Sequence, residues 1–118
     1  MEDNIQIKKS EVEKAKSHII VEIIEYVSNS VVSKTIIKKS TGNISVMSFD
    51  NGEGLMEKSS PFDMFVQIIE GKGEIIIDKI SHVLEPGQGI IIPAHSPNSI
   101  KPNGRFKMIL TIIKNSDE

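Results

Sequence analysis

The apolar residues of this chain fall mainly in short runs that end at glycine or proline. Ile75-Ile76-Ile77 and Ile90-Ile91-Ile92 are the clearest of these runs. β-branched residues in runs of this length are typical of strands that are buried on both faces. Turn residues such as those in Gly71-Lys72-Gly73 and Glu85-Pro86-Gly87 separate the runs. The pattern therefore predicts an all-β domain, built as a closed barrel or a two-sheet roll.

The spacing of runs and turns predicts about nine or ten strands, as expected of a jelly roll. Further turns are predicted at Asn51-Gly52 and Pro102-Asn103-Gly104. Pro93 is expected to end a strand, because proline lacks the N–H that the sheet would use. The clearest predicted strands run from Val31 to Lys38, Asn43 to Asp50, Phe62 to Glu70, Gly73 to Asp78, Ile80 to Leu84, Gln88 to Ile92, Asn98 to Lys101 and Arg105 to Ile113.

The first 30 residues carry a different pattern. Ser10 and Glu13 have the spacing of a helix capping box, so part of the stretch from Glu11 to Tyr26 is predicted to be helical. The run Ile19-Ile20-Val21 favours extended structure instead, since β-branched side chains lose rotamer freedom in a helix. We therefore expect an N-terminal extension over residues 1–30, helical or extended, then the barrel over residues 31–114 and a tail over residues 115–118.

Composition limits the classes of function. A chain of 118 residues makes one domain and leaves no room for a separate effector module. Lys and Arg number 14 against 16 Asp and Glu, a formal charge of −2, so no overall field favours nucleic acid or anionic membranes. The absence of cysteine excludes disulfides, thiolate nucleophiles and cysteine metal sites. The polar N-terminus does not resemble a signal peptide, and no apolar run approaches the roughly 20 residues that span a bilayer, so we expect a cytoplasmic protein.

Glycine and proline recur at fixed spacings in two segments, which 15 residues separate. The two segments read Gly52-x5-Lys58-x-Ser60-x3-Met64-x6-Gly71 and Gly87-x5-Pro93-x-His95-x2-Asn98. In these turn positions, and in the strands beside them, the chain resembles the cupin family, in particular its small single-domain bacterial members. The resemblance covers roughly residues 31–113 and implies a double-stranded β-helix, or jelly-roll, barrel.

The positions that the resemblance assigns to metal ligands hold other residues. Cupins that bind a metal would have His, His, Glu and His where this chain has Lys58, Ser60, Met64 and Asn98. The lysine ammonium repels a divalent cation, methionine offers a soft thioether, and asparagine offers a neutral amide oxygen. Moving the register by one residue brings in Glu57 and Ser59, which make no better set. We therefore expect no metal in the usual cupin site and no cofactor.

The same positions still mark a candidate pocket. The even-numbered residues Phe62, Met64, Val66 and Ile68 should face the interior if no bulge intervenes, since they alternate with Asp63, Phe65 and Gln67. Glu57 and Asp63 have the opposite parity and should be solvated. Apolar walls with a few polar groups are typical of a small-molecule site. The predicted ligand-binding residues are Lys58, Ser60, Met64, Val66, His95 and Asn98.

Purely structural or surface roles are the alternative to these ligand-binding assignments. The pocket residues could simply fill the barrel, with Lys58 reaching solvent at its mouth. His95 follows Pro93 in a loop that the resemblance places near the mouth, which favours a pocket role. His18 lies outside the motifs, and His82 alternates with Ser81 and Val83, so a structural or surface role is expected for both.

Three classes of function remain open. The first is a metal-independent cupin that binds a small organic or carbohydrate-like ligand, anionic if Lys58 contacts it. The second is an isomerase, epimerase or oxygenase with a non-standard site, which is disfavoured because Tyr26 lies outside the motifs and no His–Asp pair can be placed in the pocket. The third is a dimeric structural or interaction module. A homodimer is expected in each case, since small cupins usually pair through a sheet.

Overall fold

The computed structural model describes residues 5–8 and 11–114, and the described chain is built almost entirely of strands. The jelly-roll prediction is confirmed. The strands in this part of the chain are β1 (Ile5–Lys8), β2 (Val31–Lys39), β3 (Gly42–Phe49), β4 (Leu55–Lys58), β5 (Asp63–Gly71), β6 (Gly73–Ile77), β7 (Ile80–Leu84), β8 (Gly89–Ile92), β9 (Asn98–Lys101) and β10 (Phe106–Ile113).

The strands form two sheets that enclose one apolar interior. The larger sheet has six strands in the order β1-β2-β3-β10-β5-β8, and the smaller has four in the order β4-β9-β6-β7. Among the pairs seen in the described chain, β1 and β2 run parallel and the other neighbours antiparallel. The parallel strand β1 was not predicted. Its sequence alternates apolar and polar residues, but the run is only four residues long, and its partner β2 lies more than 20 residues away along the chain.

Alternation along β5 sets the two sides of the larger sheet. Met64, Val66 and Ile68 are buried, whereas the residues between them are exposed or half-buried. A period of two is the geometry of a strand with one buried face, so the predicted inward set is confirmed for these three residues. On the same sheet, Phe49 of β3 and Phe106 of β10 are register partners, and their rings stack in parallel with the centroids 4.4 Å apart. This pair lies among the most completely buried side chains of the described chain.

Glycine is required at the turns that the sequence singled out. Gly52, Gly71 and Gly87 have φ values of +82°, +73° and +90°, in the left-handed region that strains other residues. At Gly71 a Cβ atom would also lie 2.3 Å from the carbonyl oxygen of Arg105. The spacing of these glycines therefore reflects backbone geometry at the hairpin ends.

The N-terminal extension is not α-helical where the structure describes it. Its helical content in this region is one 3-10 turn at Ile20–Glu22, and the capping residue expected at Ser10 lies outside the described residues. Within the Ile19-Ile20-Val21 run only Ile19 is extended, because the 3-10 turn begins at Ile20. The segment instead packs Ile24 against Val32 and Val46 on the outer face of the larger sheet. No helix in the described chain is long and apolar enough to cross a membrane.

A charged cluster fastens this extension to the sheet. The Tyr26 hydroxyl donates to Glu70 Oε2 at 2.6 Å, and burial together with this carboxylate raises the pKa of Tyr26 well above its usual range. Lys107 is buried, and its ammonium donates to the carbonyl oxygen of Val21 and lies 5.0 Å from the Tyr26 ring centroid. A buried ammonium needs such partners, because desolvating an unpaired charge is costly.

Asp50 joins the start of β2 to the end of the Pro102-Asn103-Gly104 turn. Its carboxylate accepts from the backbone N–H of Asn29 and from Nε of Arg105, both at 2.7 Å. These donors, the Asn29 N–H first, hold the pKa of Asp50 below its usual range. Hydrogen bonds to the ionised form lower a carboxyl pKa because they favour the charge.

The lowered pKa predicts a pH-dependent contribution to stability. It is complete above the carboxyl pKa of the unfolded chain, about 4, and is lost as pH falls through the lower pKa of the folded state. We expect the stability gap between wild type and Asp50→Asn to be widest near pH 7 and to close under acid conditions. Urea unfolding from pH 7 to pH 3 measures the gap. Asp78→Asn, which removes the same charge from an exposed turn, should leave the pH profile unchanged.

Candidate functional site

A small cavity lies between the two sheets at the end of β4 and the start of β9. Its volume is 40 Å³. Four of the six residues predicted to bind a ligand, Lys58, Met64, Val66 and Asn98, line it. The remaining lining residues are Leu55, Ile92, Ser99, Ile100, Met108 and Leu110.

Strand alternation directs these side chains inward from both sheets. Met64 and Val66 come from β5, and Ile92 of β8 pairs directly with Met64. Leu55 and Ile100 are register partners on the smaller sheet and close the opposite wall. The walls are therefore apolar, and the polar groups gather where Lys58 and Asn98 meet.

The side-chain amide of Asn98 links β4 to the loop before β9 through hydrogen bonds. The side chain is 5% exposed, and Nδ2 donates to the carbonyl oxygen of Lys58 at 3.2 Å and of Ser96 at 3.0 Å. Lys58 and Asn98 are also partners in the strand register. The amide thus satisfies two carbonyl groups at the place where the resemblance puts a metal ligand.

Ser60 and His95 do not line the cavity. β4 ends at Lys58, so the prediction that Ser60 shares an inward strand face with Lys58 is wrong. The Ser60 hydroxyl accepts from the backbone N–H of Phe62 at 3.1 Å, which closes a local turn. Its carbonyl accepts from the N–H of His95 at 2.6 Å, and His95 is exposed with φ +68°. These two residues hold adjoining loops together through their backbones.

The four positions do not fit a divalent metal. Asn98 points its amide nitrogen at carbonyl oxygens, and Ser60 turns its hydroxyl toward a backbone N–H. Met64 supplies a thioether in an apolar wall, and Lys58 is a cation. Zinc and iron sites need three or four imidazole, carboxylate or thiolate ligands around one point. Within residues 5–8 and 11–114, no group of three such side chains lies close enough to hold an ion.

The other two histidines lie away from the cavity. His18 is half-buried in the N-terminal extension, and Nε2 contacts the carbonyl oxygen of Glu13 at 2.9 Å. His82 is half-buried, opposite Ile75 and on the same face of β7 as Leu84, rather than at a fully exposed surface position. Neither is a lining residue of the cavity.

Six lining residues were not predicted from the sequence: Leu55, Ile92, Ser99, Ile100, Met108 and Leu110. Met108 and Leu110 are on β10, which passes between β3 and β5, so their inward direction depends on the pairing of distant strands. The alternation along β10 was a local signal, but it could not show which part of the interior those residues reach. Leu55 precedes the first substituted position by three residues, on a strand with no clear alternation.

The cavity is small for a metabolite. A volume of 40 Å³ has room for about one water molecule, whereas small-molecule pockets typically measure roughly 300–1,000 Å³. A larger ligand would have to displace side chains or separate the loops at residues 59–62 and 93–97. The thioethers of Met64 and Met108 suit such a change, because methionine adapts to irregular space more readily than branched side chains.

Solved structures with this fold include several cupins. A conserved protein of unknown function from Streptococcus pyogenes is 30% identical, with a TM-score of 0.83, and the match covers 89% of this chain and 92% of that one. A cupin superfamily protein from Desulfitobacterium hafniense is 27% identical over 88% of this chain and 95% of that one, with a TM-score of 0.82. A cupin 2 conserved barrel domain protein from Leptotrichia buccalis is 29% identical, with a TM-score of 0.76, over 80% of this chain and 46% of that one.

No protein-family model matches the sequence, and no curated protein matches it. The similarity to cupins is therefore carried by the backbone architecture and the turn spacing described above. The names of these structures specify no ligand for this barrel.

The Asn98 amide generates a prediction on stability. Asn98→Ala should lower the free energy of unfolding by about 1–3 kcal/mol, because two carbonyl groups lose a donor in a buried position. Urea denaturation measures the loss. Asn103→Ala, which removes an exposed amide that contacts Glu74, serves as the control and should change stability by less than about 0.5 kcal/mol. Equal losses in both variants would show that the Asn98 contacts contribute nothing special.

Proposed function

This chain belongs to the cupin superfamily, and from that premise we propose that it binds a small organic or carbohydrate-like molecule without a metal ion. The observation that carries the proposal is the composition of the cavity: apolar walls from both sheets with Lys58 and Asn98 at one end. Binding sites for small molecules combine such walls with a few polar groups that orient the ligand.

The charge at this end of the cavity favours an anionic group on the ligand. Lys58, which is exposed at the end of β4, brings a positive charge to the lining, and the carboxylates of Glu57 and Asp63 do not line the cavity. A carboxylate or phosphate beside the ammonium would form a charge-assisted hydrogen bond. The apolar part of the ligand would then contact Met64, Val66 and Ile100.

A ligand that binds to Asn98 would displace hydrogen bonds that this residue already makes and would thereby widen the cavity. Its Nδ2 donors already serve the carbonyl oxygens of Lys58 and Ser96. A ligand acceptor that competes for Nδ2 would loosen the link between β4 and the loop before β9, which opens the space that the ligand needs. Binding and widening of the cavity are thus coupled through one side chain.

An enzyme is the less supported alternative. Of the residues that line the cavity, Lys58 alone titrates, and acid–base catalysis generally needs a positioned base with an acid partner. Tyr26 lies on the outer side of the larger sheet, where it donates to Glu70. Within the described chain no imidazole or carboxylate lines the cavity, so a proton-transfer mechanism there has one candidate group.

A ligand screen tests the binding proposal. We expect one or more compounds in a panel of sugar phosphates, carboxylic acids and matched neutral sugars to raise the melting temperature in differential scanning fluorimetry. At 100 times Kd, binding adds about 2.7 kcal/mol to stability. Lys58→Gln should weaken an anionic hit about tenfold or more in Kd, because a charged hydrogen bond contributes about 1.5–3 kcal/mol.

Lys79→Gln is the matched control, since Lys79 is an exposed turn residue whose ammonium lies 3.9 Å from Glu57. It should bind the hit as wild type does. Equal affinity in wild type, Lys58→Gln and Lys79→Gln would exclude Lys58 from the ligand site. A second variant, Val66→Phe, should reduce binding by filling the cavity even if the ligand is neutral.

The metal part of the proposal has a separate test. Protein purified without a histidine tag and without chelators should retain far less than one equivalent of iron, manganese, nickel, copper or zinc by plasma mass spectrometry. Added chelator should leave the melting temperature unchanged, because metal-dependent folds lose stability when the ion is removed. Stoichiometric metal that survives gel filtration would contradict this part of the proposal.

A further inference from the structure

A larger cavity lies outside the barrel, between the N-terminal extension and the outer face of the six-stranded sheet. Its volume is 330 Å³, against 40 Å³ for the cavity between the two sheets, and the two share no lining residue. Residues 22–25 and 27 of the extension form one wall, and Val32 and Lys34 of β2 form the other. Small-molecule sites typically measure roughly 300–1,000 Å³, so this cavity has room for a ligand of modest size without any rearrangement.

The floor of this outer cavity is apolar and already packed. Ile24 and Val32 belong to one hydrophobic cluster and are 4% and 1% exposed. Ile23 and Val27 are partly buried against the same cluster and complete the apolar part of the lining. A ligand with an apolar group can therefore place it on a preformed surface.

Opposite charges line the two walls of the outer cavity. Glu22 and Glu25 are exposed on the extension, whereas Lys34 is half-buried on β2. Lys34 lies two residues after Val32, so both side chains are on the outer face of the strand. Among residues 5–8 and 11–114, no ion pair or side-chain hydrogen bond engages any of these three charged groups. The walls thus present hydrogen-bond acceptors on one side and a donor on the other.

Hydrogen bonds to the sheet hold the wall that carries the two carboxylates. The Lys107 ammonium donates to the carbonyl oxygen of Val21, and the Ser48 hydroxyl donates to that of Glu25 at 2.9 Å. The Tyr26 hydroxyl donates to a carboxylate of β5. The backbone is therefore fixed on both sides of the lining residues, and a ligand would not have to order it. Preorganisation of this kind favours binding, because less conformational entropy is lost.

We propose that the outer cavity binds a small zwitterion with an apolar side chain, of the class of the aliphatic α-amino acids. Its ammonium group contacts Glu22 and Glu25, its carboxylate contacts Lys34, and its side chain lies on Ile24 and Val32. An anion without an ammonium group would face two carboxylates, and a simple amine would leave the lysine without a partner, so the zwitterion matches the charges best. The site lies outside the barrel, so it does not depend on ligand binding between the sheets.

A titration followed by two-dimensional 1H–15N NMR tests the proposal on the full chain. L-Leucine and L-methionine should each cause saturable shifts in the amide signals of residues 22–27 and 32–34. N-Acetyl-L-leucine lacks the positive charge and L-leucinamide lacks the negative one. Each should bind about fivefold or more weakly than L-leucine, since it loses a charged hydrogen bond to a partly exposed group.

Charge variants identify the groups that hold the ligand. Lys34→Gln and the double variant Glu22→Gln/Glu25→Gln should each weaken L-leucine binding about fivefold or more. Lys39→Gln, at an exposed position of the same strand, and Glu13→Gln, at an exposed position of the extension, are the matched controls. Both should bind as wild type does. Lys34→Glu should lose L-leucine and bind L-leucinamide more tightly than wild type, an exchange of preference that a damaged fold would not produce.

Three results would overturn the proposal. The first is the absence of saturable shifts with either amino acid up to about 10 mM, which would fill a site with a millimolar Kd. The second is equal L-leucine affinity in wild type and Lys34→Gln. The third is loss of L-leucine binding in Lys58→Gln, with shifts around residues 55–66, which would place the amino acid in the barrel and leave the binding function proposed there intact.

Discussion

The structure depends on the requirement that alternate side chains of two sheets fill one closed interior. β5 shows the constraint most clearly, because its buried residues Met64, Val66 and Ile68 alternate with exposed ones, and it pairs with β10 on one side and β8 on the other. A slip of one residue in either pairing would turn the buried set toward water. The stacked Phe49 and Phe106 rings, which are fully buried, leave little space for such a change.

This constraint also decides what the candidate site can be. The interior is packed up to the cavity, and the four substituted positions take ordinary roles in that packing. Met64 completes an apolar wall, Ser60 closes a local turn, and Asn98 links two backbone segments. The barrel at this point is held by side-chain hydrogen bonds and apolar contact, and it carries a single titratable group in its lining, Lys58. Recognition through charge and shape suits such a site better than proton transfer does.

The outer face of the larger sheet also carries apolar side chains, which are buried on one half and exposed on the other. On one half, the extension buries Ile24 against Val32 and Val46, and the partners of Lys107 and Tyr26 fasten it. On the other half, Phe65, Ile91 and Ile113 have no covering segment among residues 5–8 and 11–114. Apolar surface of this extent is stabilised when something covers it.

Much of the fold could be predicted because the signals are local. The turns at Gly52, Gly71 and Gly87 follow from a backbone conformation that glycine adopts most readily, and the strand runs follow from β-branched residues with a period of two. The replacement of the usual cupin metal ligands is also visible in the sequence, because residue identity decides which groups a side chain can offer to a cation. The helix expected between Glu11 and Tyr26 did not form, since a short weak local preference is overridden by packing against the sheet.

The sequence by itself thus determined where the chain turns, which residues alternate, and which ligand chemistry is missing. The tertiary structure decided the parallel pairing of β1, the backbone hydrogen bond between His95 and Ser60, and the contact of the Asn98 amide with the carbonyl oxygen of Lys58. It also decided that Ile91 and Ile113 lie on one uncovered face. The physical reason is distance along the chain: these features join residues far apart in sequence, and their geometry exists only after the sheets have closed on a shared interior.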